Sequence, residues 1–377
     1  MFVHFVLKGE VLPVQERDCE DIQVTHRALR AVKDAAGRGT TVNVGECGAA
    51  YRFMTPLLAV TPGKWCLTGS HRLLQRPIEE LVEVLNSIGG DVSRHDDGIH
   101  FNGRELFGSR LAIDCRRSSQ FASALILVAP KIGLRELTFS SREIPSKPYI
   151  QLTRLCTPWH VAVADLPAPN GPLGRVGDWS AALFWYAKAA IAARMQSVAC
   201  VGENQDVTTF ELLDLSLRSA QGDAVVADWF ARLGVESEET EAGVRITARR
   251  RDLVPTLHFD VAEHPDVVPV LAVTALLLSV DATFLHTQNL RYKESDRSGQ
   301  LALQLAPFAK IDCGDDFLRV RARAREAWPT PPYEFRTMND HRLAMAFLLF
   351  GEDAHIDDMG CLAKSYPQLI DILQCDM

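Results

Sequence analysis

Three segments of the chain repeat one pattern: an amphipathic helix closed near a glycine and followed by a short β-like stretch. They read IEELVEVLNSIGGDV (78–92), DAVVADWFARLGVE (223–236) and, more loosely, GQLALQLAPFAKID (299–312). Between the helices lie stretches rich in β-formers at 64–68, 135–139, 196–201, 244–248, 282–286 and 318–322. Helices alternating with short strands predict an α/β (α+β) architecture built from repeated units. The 377 residues suggest two domains. The Pro/Gly-rich LPAPNGPLGRVG (166–177) is the clearest boundary, and the apolar DWSAALFWYAKAAIAA (178–193) after it reads as a core helix with an acidic and a serine start.

Composition narrows the function classes. A chain with 47% hydrophobic and 23% charged residues is an ordinary globular one. Its formal charge of -8 argues against a general nucleic-acid binder, which needs basic surface. The apolar run VVPVLAVTALLLSV (267–280) is too short for a membrane span, and MFVHFVLKGE lacks a basic signal-peptide start, so a cytoplasmic protein is expected. Nine cysteines are scattered without a C-x-x-C, which predicts reduced thiols and no zinc or redox motif. No glycine-rich nucleotide-binding motif opens any of the helices.

Several short clusters combine Arg, Lys, Ser, Asp, Glu and His with glycines or helix starts. They are GECGAAYR (45–52), GSHRLLQRP (69–77), RRSSQ (116–120), SKPY (146–149), NLRYKESDR (289–297), MNDHR (338–342) and KSYP (364–367). Each alone reads as a helix cap, a solvated charge or a local ion pair. Together they have the chemistry of an anion site. Serine hydroxyls and helix-start N–H groups bind phosphate, guanidinium forks bind phosphate and carboxylate, and embedded carboxylates can move protons.

The order and wording of these clusters resemble the 5-enolpyruvylshikimate-3-phosphate synthase family, the 3-phosphoshikimate 1-carboxyvinyltransferases. The likeness runs from about Asp18 to the C-terminus through GSHRLLQRPIEELVEVL, SSQFASALILVAP, SKPYIQLT, DWSAALFWYAKAA, YKESDR, NDHRLAMAF and KSYPQLIDIL. It implies two globes of βαβαββ-type units with substrates in a cleft between them. One globe is expected over 18–174, the other over 1–17 plus 175–377, with the N-terminal dozen residues as a strand of the latter. The implied reaction is transfer of the enolpyruvyl group of phosphoenolpyruvate to the 5-hydroxyl of shikimate-3-phosphate with release of phosphate. By the same resemblance Ser118, Ser119, Gln120, Ser146, Tyr149, Asp266, Asn289 and Lys293 hold shikimate-3-phosphate. Gly48, Arg72, Gln120, Arg297, Arg342 and Lys364 hold phosphoenolpyruvate. Asp266, Lys293, Glu294 and His341 form the catalytic set, with Glu294 serving the methylene proton. No metal or organic cofactor is implied, and a monomer acting on small molecules is expected.

The likeness breaks at one place. The family opens its first site segment with Ser-Lys-Ser followed by Arg, and no Ser-Lys-Ser occurs in residues 1–40. The chain reads as though a strand and helix were missing between Pro13 and Asp18, with a lysine that touches both substrates. Glu46 and Ala49 also stand where the family has Asn, or a small residue, and Thr. A non-catalytic homologue is therefore the alternative. A UDP-N-acetylglucosamine enolpyruvyl transferase is disfavoured because SSQ, SKPY and KESDR follow the shikimate branch.

Overall fold

In the computed structural model, which describes residues 1–167, 177–195 and 207–375, the helix–glycine–strand pattern is half of a βαβαββ unit. Strands Thr41–Asn43 and Gly63–Thr68 run parallel, Thr41 opposite Cys66, and helix Gly48–Val60 crosses between them. Helix Glu79–Ser87 then leads into the hairpin Val92–His95 and Gly98–Gly103, whose second strand joins Gly63–Thr68 antiparallel with Cys66 opposite His100. The sheet order is first, second, fourth, third.

The same topology recurs far along the chain. Strands Thr256–Asp260 and Asp281–Leu285 pair in parallel around helix Val268–Leu277. Helix Arg297–Gln304 precedes the hairpin Ala309–Cys313 and Phe317–Ala322, again with the last strand inserted beside the second. A third, antiparallel sheet has Gly243–Arg249 between Val207–Leu213 and Val235–Glu239, and helix Trp179–Met195 precedes it in sequence. Parallel neighbours need a crossover helix. Those helices are covered on all sides, so their sequences are apolar all round rather than striped. Every residue of Val268–Leu277 is buried, and so are eleven of Gly48–Val60. Each strand expected at 64–68, 135–139, 244–248, 282–286 and 318–322 overlaps an observed one; 196–201 lies outside the described residues.

The chain divides into two units, Met1–Pro172 with Ala363–Met377, and Leu173–Leu362. The expected domain bounds and the expected N-terminal strand are corrected. Residues 1–17 belong to the first unit rather than the second, and Phe2–Lys8 is a helix rather than a strand. Its apolar residues Phe2, Phe5 and Val6 stand at i, i+3 and i+4, a helical period that buries all three in the first unit's core. The Phe2 ring meets Phe53 edge-on at 5.5 Å. The helix stops at Gly9, whose φ of 68° suits a left-handed cap. The C-terminal segment likewise returns to the first unit, so the second ends at Leu362 and not at the terminus. Gln368 Nε2 donates to the Arg17 carbonyl at 3.0 Å, tying this return to the segment before helix Glu20–Asp34.

Candidate active site

In both units the chemistry-bearing residues sit where a strand hands over to a helix, the place where backbone N–H groups point outward without partners. In the second unit, strand Thr256–Asp260 leads to the 3-10 turn Pro265–Val267, which carries Asp266 into the start of Val268–Leu277. Strand Asp281–Leu285 leads through the turn Gln288–Tyr292 to Lys293, Glu294 and the helix starting at Arg297, capped by Asp296. Strand Tyr333–Phe335 leads to Met338 and Asn339, both at left-handed φ, and then to Asp340. Asp340 caps the helix His341–Phe347, its Oδ1 accepting from the Arg342 N–H at 3.0 Å.

These starts meet at one guanidinium. Arg297, only 1% exposed, donates from Nε to Asp340 Oδ2 at 2.8 Å and from Nη1 to Asp266 Oδ1 at 2.6 Å. Its Nη2 donates to Glu294 Oε2 at 2.8 Å and to Asp340 Oδ1 at 3.1 Å. Ser295 Oγ adds a bond to Asp340 Oδ2 at 2.9 Å, and Lys293 Nζ reaches Asp266 Oδ1 at 2.9 Å. Arg342 is buried beside them and donates from Nη1 to the Ser180 carbonyl of helix Trp179–Met195 at 3.1 Å. Three carboxylates and three cations thus form one cluster in the second unit.

The charges set each other's protonation. Burial pushes the Asp266 carboxyl up, but Lys293, Arg297 and Arg342 outweigh it and hold the group far below the usual carboxylate range. Burial likewise opposes ionisation of Asp340, and Arg297 overrides it, so this carboxyl also stays below its ordinary value. Burial would lower Arg297, yet Asp340, Glu294 and Asp266 keep it firmly protonated. His341 goes the other way: burial first, then the Arg342 charge, push its imidazole down to about 3, so it is neutral at physiological pH. Its Nδ1, and the Oδ1 of buried Asn289, have no hydrogen-bond partner among the described residues.

The first unit builds a second cationic set. Gly48 starts its helix with the Cys47 thiol accepting from Ala50 N–H at 3.3 Å. A Cβ on Gly48 would lie 2.6 Å from Arg76 Nη1 and 3.0 Å from Arg52 Nη1, so only glycine lets both buried guanidiniums press against this backbone. Arg52 donates to the carbonyls of Gly48 and Pro77, both at 3.3 Å, and to Gln120 Oε1 at 3.0 Å. Lys364, also buried, donates to the Glu46 carbonyl at 3.1 Å. Ser119 stands at the start of helix Gln120–Leu127 without a side-chain cap bond, and Ser118 Oγ accepts from the Gln120 N–H at 3.3 Å. Ser146, at φ 53°, precedes helix Lys147–Cys156, which bears Tyr149; Thr153 Oγ1 of that helix donates to Ser123 Oγ at 2.9 Å. Arg72 lies in the short helix His71–Leu74 behind the Ser70 cap, whose N–H donates to the Gly45 carbonyl.

The sequence pattern of one family, EPSP synthase (3-phosphoshikimate 1-carboxyvinyltransferase), matches residues 12–373. The chain belongs to the EPSP synthase family. The 3-phosphoshikimate 1-carboxyvinyltransferase of Bacteroides fragilis is 33% identical over 396 residues, covering 99% of this chain and 91% of that enzyme. The one from Photobacterium profundum is 28% identical over 364 residues, covering 90% and 79%. Among solved structures, EPSP synthase from Acinetobacter baumannii superposes with a TM-score of 0.63 at 17% identity, covering 99% of this chain and 92% of that one. The enolpyruvyl transferase NikO from Streptomyces tendae reaches 0.51 at 16% identity, covering 79% and 71%. The two-unit α/β enolpyruvyl transferase fold expected from the sequence is therefore the fold of this EPSP synthase family member.

Of the expected site residues, Asp266, Lys293, Glu294, Arg297, His341 and Arg342 gather in the second unit, and Gly48, Gln120 and Lys364 in the first. Lys364 was expected in the second globe and belongs to the first. Arg52, Arg76 and Asp340 lie within the charged clusters read from the sequence but were given no role of their own. The signals were present: Arg52 stands four residues after Gly48, on the same helix face, and Asp340 directly precedes a helical run as a cap does.

Proposed function

We propose that this chain carries out the family's reaction, joining the enolpyruvyl group of phosphoenolpyruvate to the 5-hydroxyl of shikimate-3-phosphate and releasing phosphate. Family membership supports the activity; the Arg297 network supports the assignment of residues. Addition must protonate the methylene carbon and remove the hydroxyl proton, giving a tetrahedral ketal. Elimination must then take a proton from the new methyl group and expel phosphate. Such a path needs a proton carrier beside the methylene carbon and fixed positive charge around a carboxylate and a departing phosphate.

Arg297 already binds carboxylates through three nitrogens, and the substrate carboxylate is one more ligand of the same kind. In this reading phosphoenolpyruvate displaces Glu294 and Asp266 from Arg297, and Asp340, fully buried, keeps the guanidinium aimed. Glu294, released beside the methylene carbon, carries its proton. Asp266, once less shielded by Arg297, becomes a better acceptor for the substrate hydroxyl, with Lys293 beside it. Neutral His341 can donate without adding charge. Arg342, Lys364, Arg72 and the Gly48 helix start hold the remaining negative charge of phosphoenolpyruvate, while Ser118, Ser119, Ser146, Gln120, Tyr149 and Asn289 serve shikimate-3-phosphate. We further propose a cytoplasmic monomer; no helix among the described residues is long and apolar enough to cross a membrane.

Glu294→Gln tests this. The amide keeps the shape and the bond to Arg297 but cannot carry the proton, so phosphate release should fall at least about 10²-fold. Calorimetric binding of both substrates should persist. Turnover within about threefold of the parent would remove Glu294 from the proton path.

A further inference from the structure

The register of the first unit's sheet brings together a second set of reactive atoms. Trp65 and Leu67 are buried on the inner face of Gly63–Thr68, so Cys66 between them points outward. Ile99 and Phe101 are buried in Gly98–Gly103, and His100 between them points the same way, directly opposite Cys66. The turn before His100 supplies Asp97, held by a bond from Thr68 Oγ1 to its carbonyl at 2.6 Å. Gly98 keeps the two strands close, since a Cβ there would lie 2.4 Å from the Leu67 carbonyl oxygen. One ligating atom each of Cys66, Asp97 and His100 lies within 4.8 Å of the other two. Asp97 Oδ1 and His100 Nε2 already share a hydrogen bond at 2.9 Å. The His95 ring stands edge-on to His100 at 4.7 Å between centroids.

We propose that Cys66, Asp97 and His100 form a three-ligand site for a thiophilic divalent cation, Zn²⁺. One sulfur, one imidazole nitrogen and one carboxylate oxygen are zinc's usual donors, whereas Mg²⁺ and Ca²⁺ select oxygen alone. Bonds of about 2.0–2.3 Å put tetrahedral ligands roughly 3.3–3.8 Å apart. Small rotations of these solvent-facing side chains close the remaining distance. Binding releases the thiol proton to solvent as the Zn–S bond forms, and the neutral His100 ring carries its proton on Nδ1 so that Nε2 and the Asp97 carboxylate both face the ion; no electron moves. The missing C-x-x-C that argued against zinc in the sequence is irrelevant here, because strand pairing rather than local spacing assembles the donors.

The test is site-resolved alkylation of the full chain, stripped with a chelator and then given one equivalent of Zn²⁺. Zinc should slow iodoacetamide modification of Cys66 by more than about tenfold while leaving the exposed Cys156 and Cys313 unchanged. His100→Ala and, separately, Asp97→Asn should each abolish most of that protection. Co²⁺ should give a thiolate charge-transfer band that Cys66→Ser removes. Equal Cys66 modification with and without zinc overturns the proposal. So does protection that survives in both ligand variants.

Discussion

Replacing Arg297 by alanine strands a buried carboxylate. Asp340 has no side-chain exposure, and Arg297 is its countercharge through two nitrogens. Removing one partner of a buried pair typically costs about 3–5 kcal/mol, because the other charge stays desolvated. Asp266, still 32% exposed, can be served by water and by Lys293, so it adds no figure of its own. For a unit the size of Leu173–Leu362, each kcal/mol moves the midpoint about 2–4 °C, so the second unit's calorimetric transition should fall by roughly 6–20 °C at pH 7. The pH dependence follows from the sign of the shift. With Arg297 present the folded Asp340 carboxyl lies below its unfolded value, so its stabilisation is complete above about pH 4 and disappears as pH falls through the folded value. Without Arg297 burial raises that carboxyl instead, and the folded variant takes up a proton. The deficit should therefore be largest at neutral pH and narrow on acidification. Adding Asp340→Asn to the variant should recover part of the loss by removing the stranded charge. A cost under about 1 kcal/mol at pH 7, or a deficit that grows on acidification, would refute the buried-hub reading.

Two other changes probe separate parts of the site. His341 is held down to about 3 against an ordinary 6.5, so below pH 6.5 the unfolded chain takes up a proton that the folded chain refuses. That group alone contributes a loss of stability of up to about 1.4 kcal/mol per pH unit down to about 3, and His341→Gln should flatten it; an unchanged slope in acid unfolding curves counts against the assignment. Gly48→Ala puts a methyl where Arg76 and Arg52 nitrogens lie at 2.6 and 3.0 Å. The expected outcome is a stability loss of about 1–3 kcal/mol, a KM for phosphoenolpyruvate raised by about tenfold, and unaltered shikimate-3-phosphate binding; an unaltered KM would detach this helix start from the substrate.

Local signals revealed the fold better than they revealed the site. The strand at 64–68 was legible because alternating residues there face a core, and the helix Glu79–Ser87 because its apolar residues keep a helical period. The N-terminal helix was misread although Phe2, Phe5 and Val6 carry that period, because five apolar residues in seven, two of them valines, also suit a strand. Site residues were legible only through the motifs' resemblance to a family. Nothing local in Asp266, Glu294, Arg297 and Asp340 says that they share one guanidinium, since three separate strand-to-helix turns deliver them. Arg52 was given no role of its own for a related reason: a lone arginine on a helix usually lies in solvent, and only the crowded turn of Gly48, Pro77 and Gln120 gives it buried acceptors. Cys66, Asp97 and His100 were invisible together because sheet register, not sequence spacing, sets their distance.

Phosphate release by this 377-residue chain, measured with both substrates saturating and with each omitted in turn, addresses the central claim most directly. Release should require both substrates and yield one enolpyruvyl product per phosphate. The Ser-Lys-Ser that the resemblance leads one to expect does not occur in residues 1–40; on that expectation one electrostatic contact is lost, which costs on the order of 10²–10³ in rate. From a typical kcat near 10 s⁻¹, turnover should be on the order of 10⁻²–10⁻¹ s⁻¹. Release that ignores shikimate-3-phosphate, or binding of both substrates with no product at enzyme concentrations matching theirs, would contradict the assignment and leave a ligand-binding homologue without the reaction.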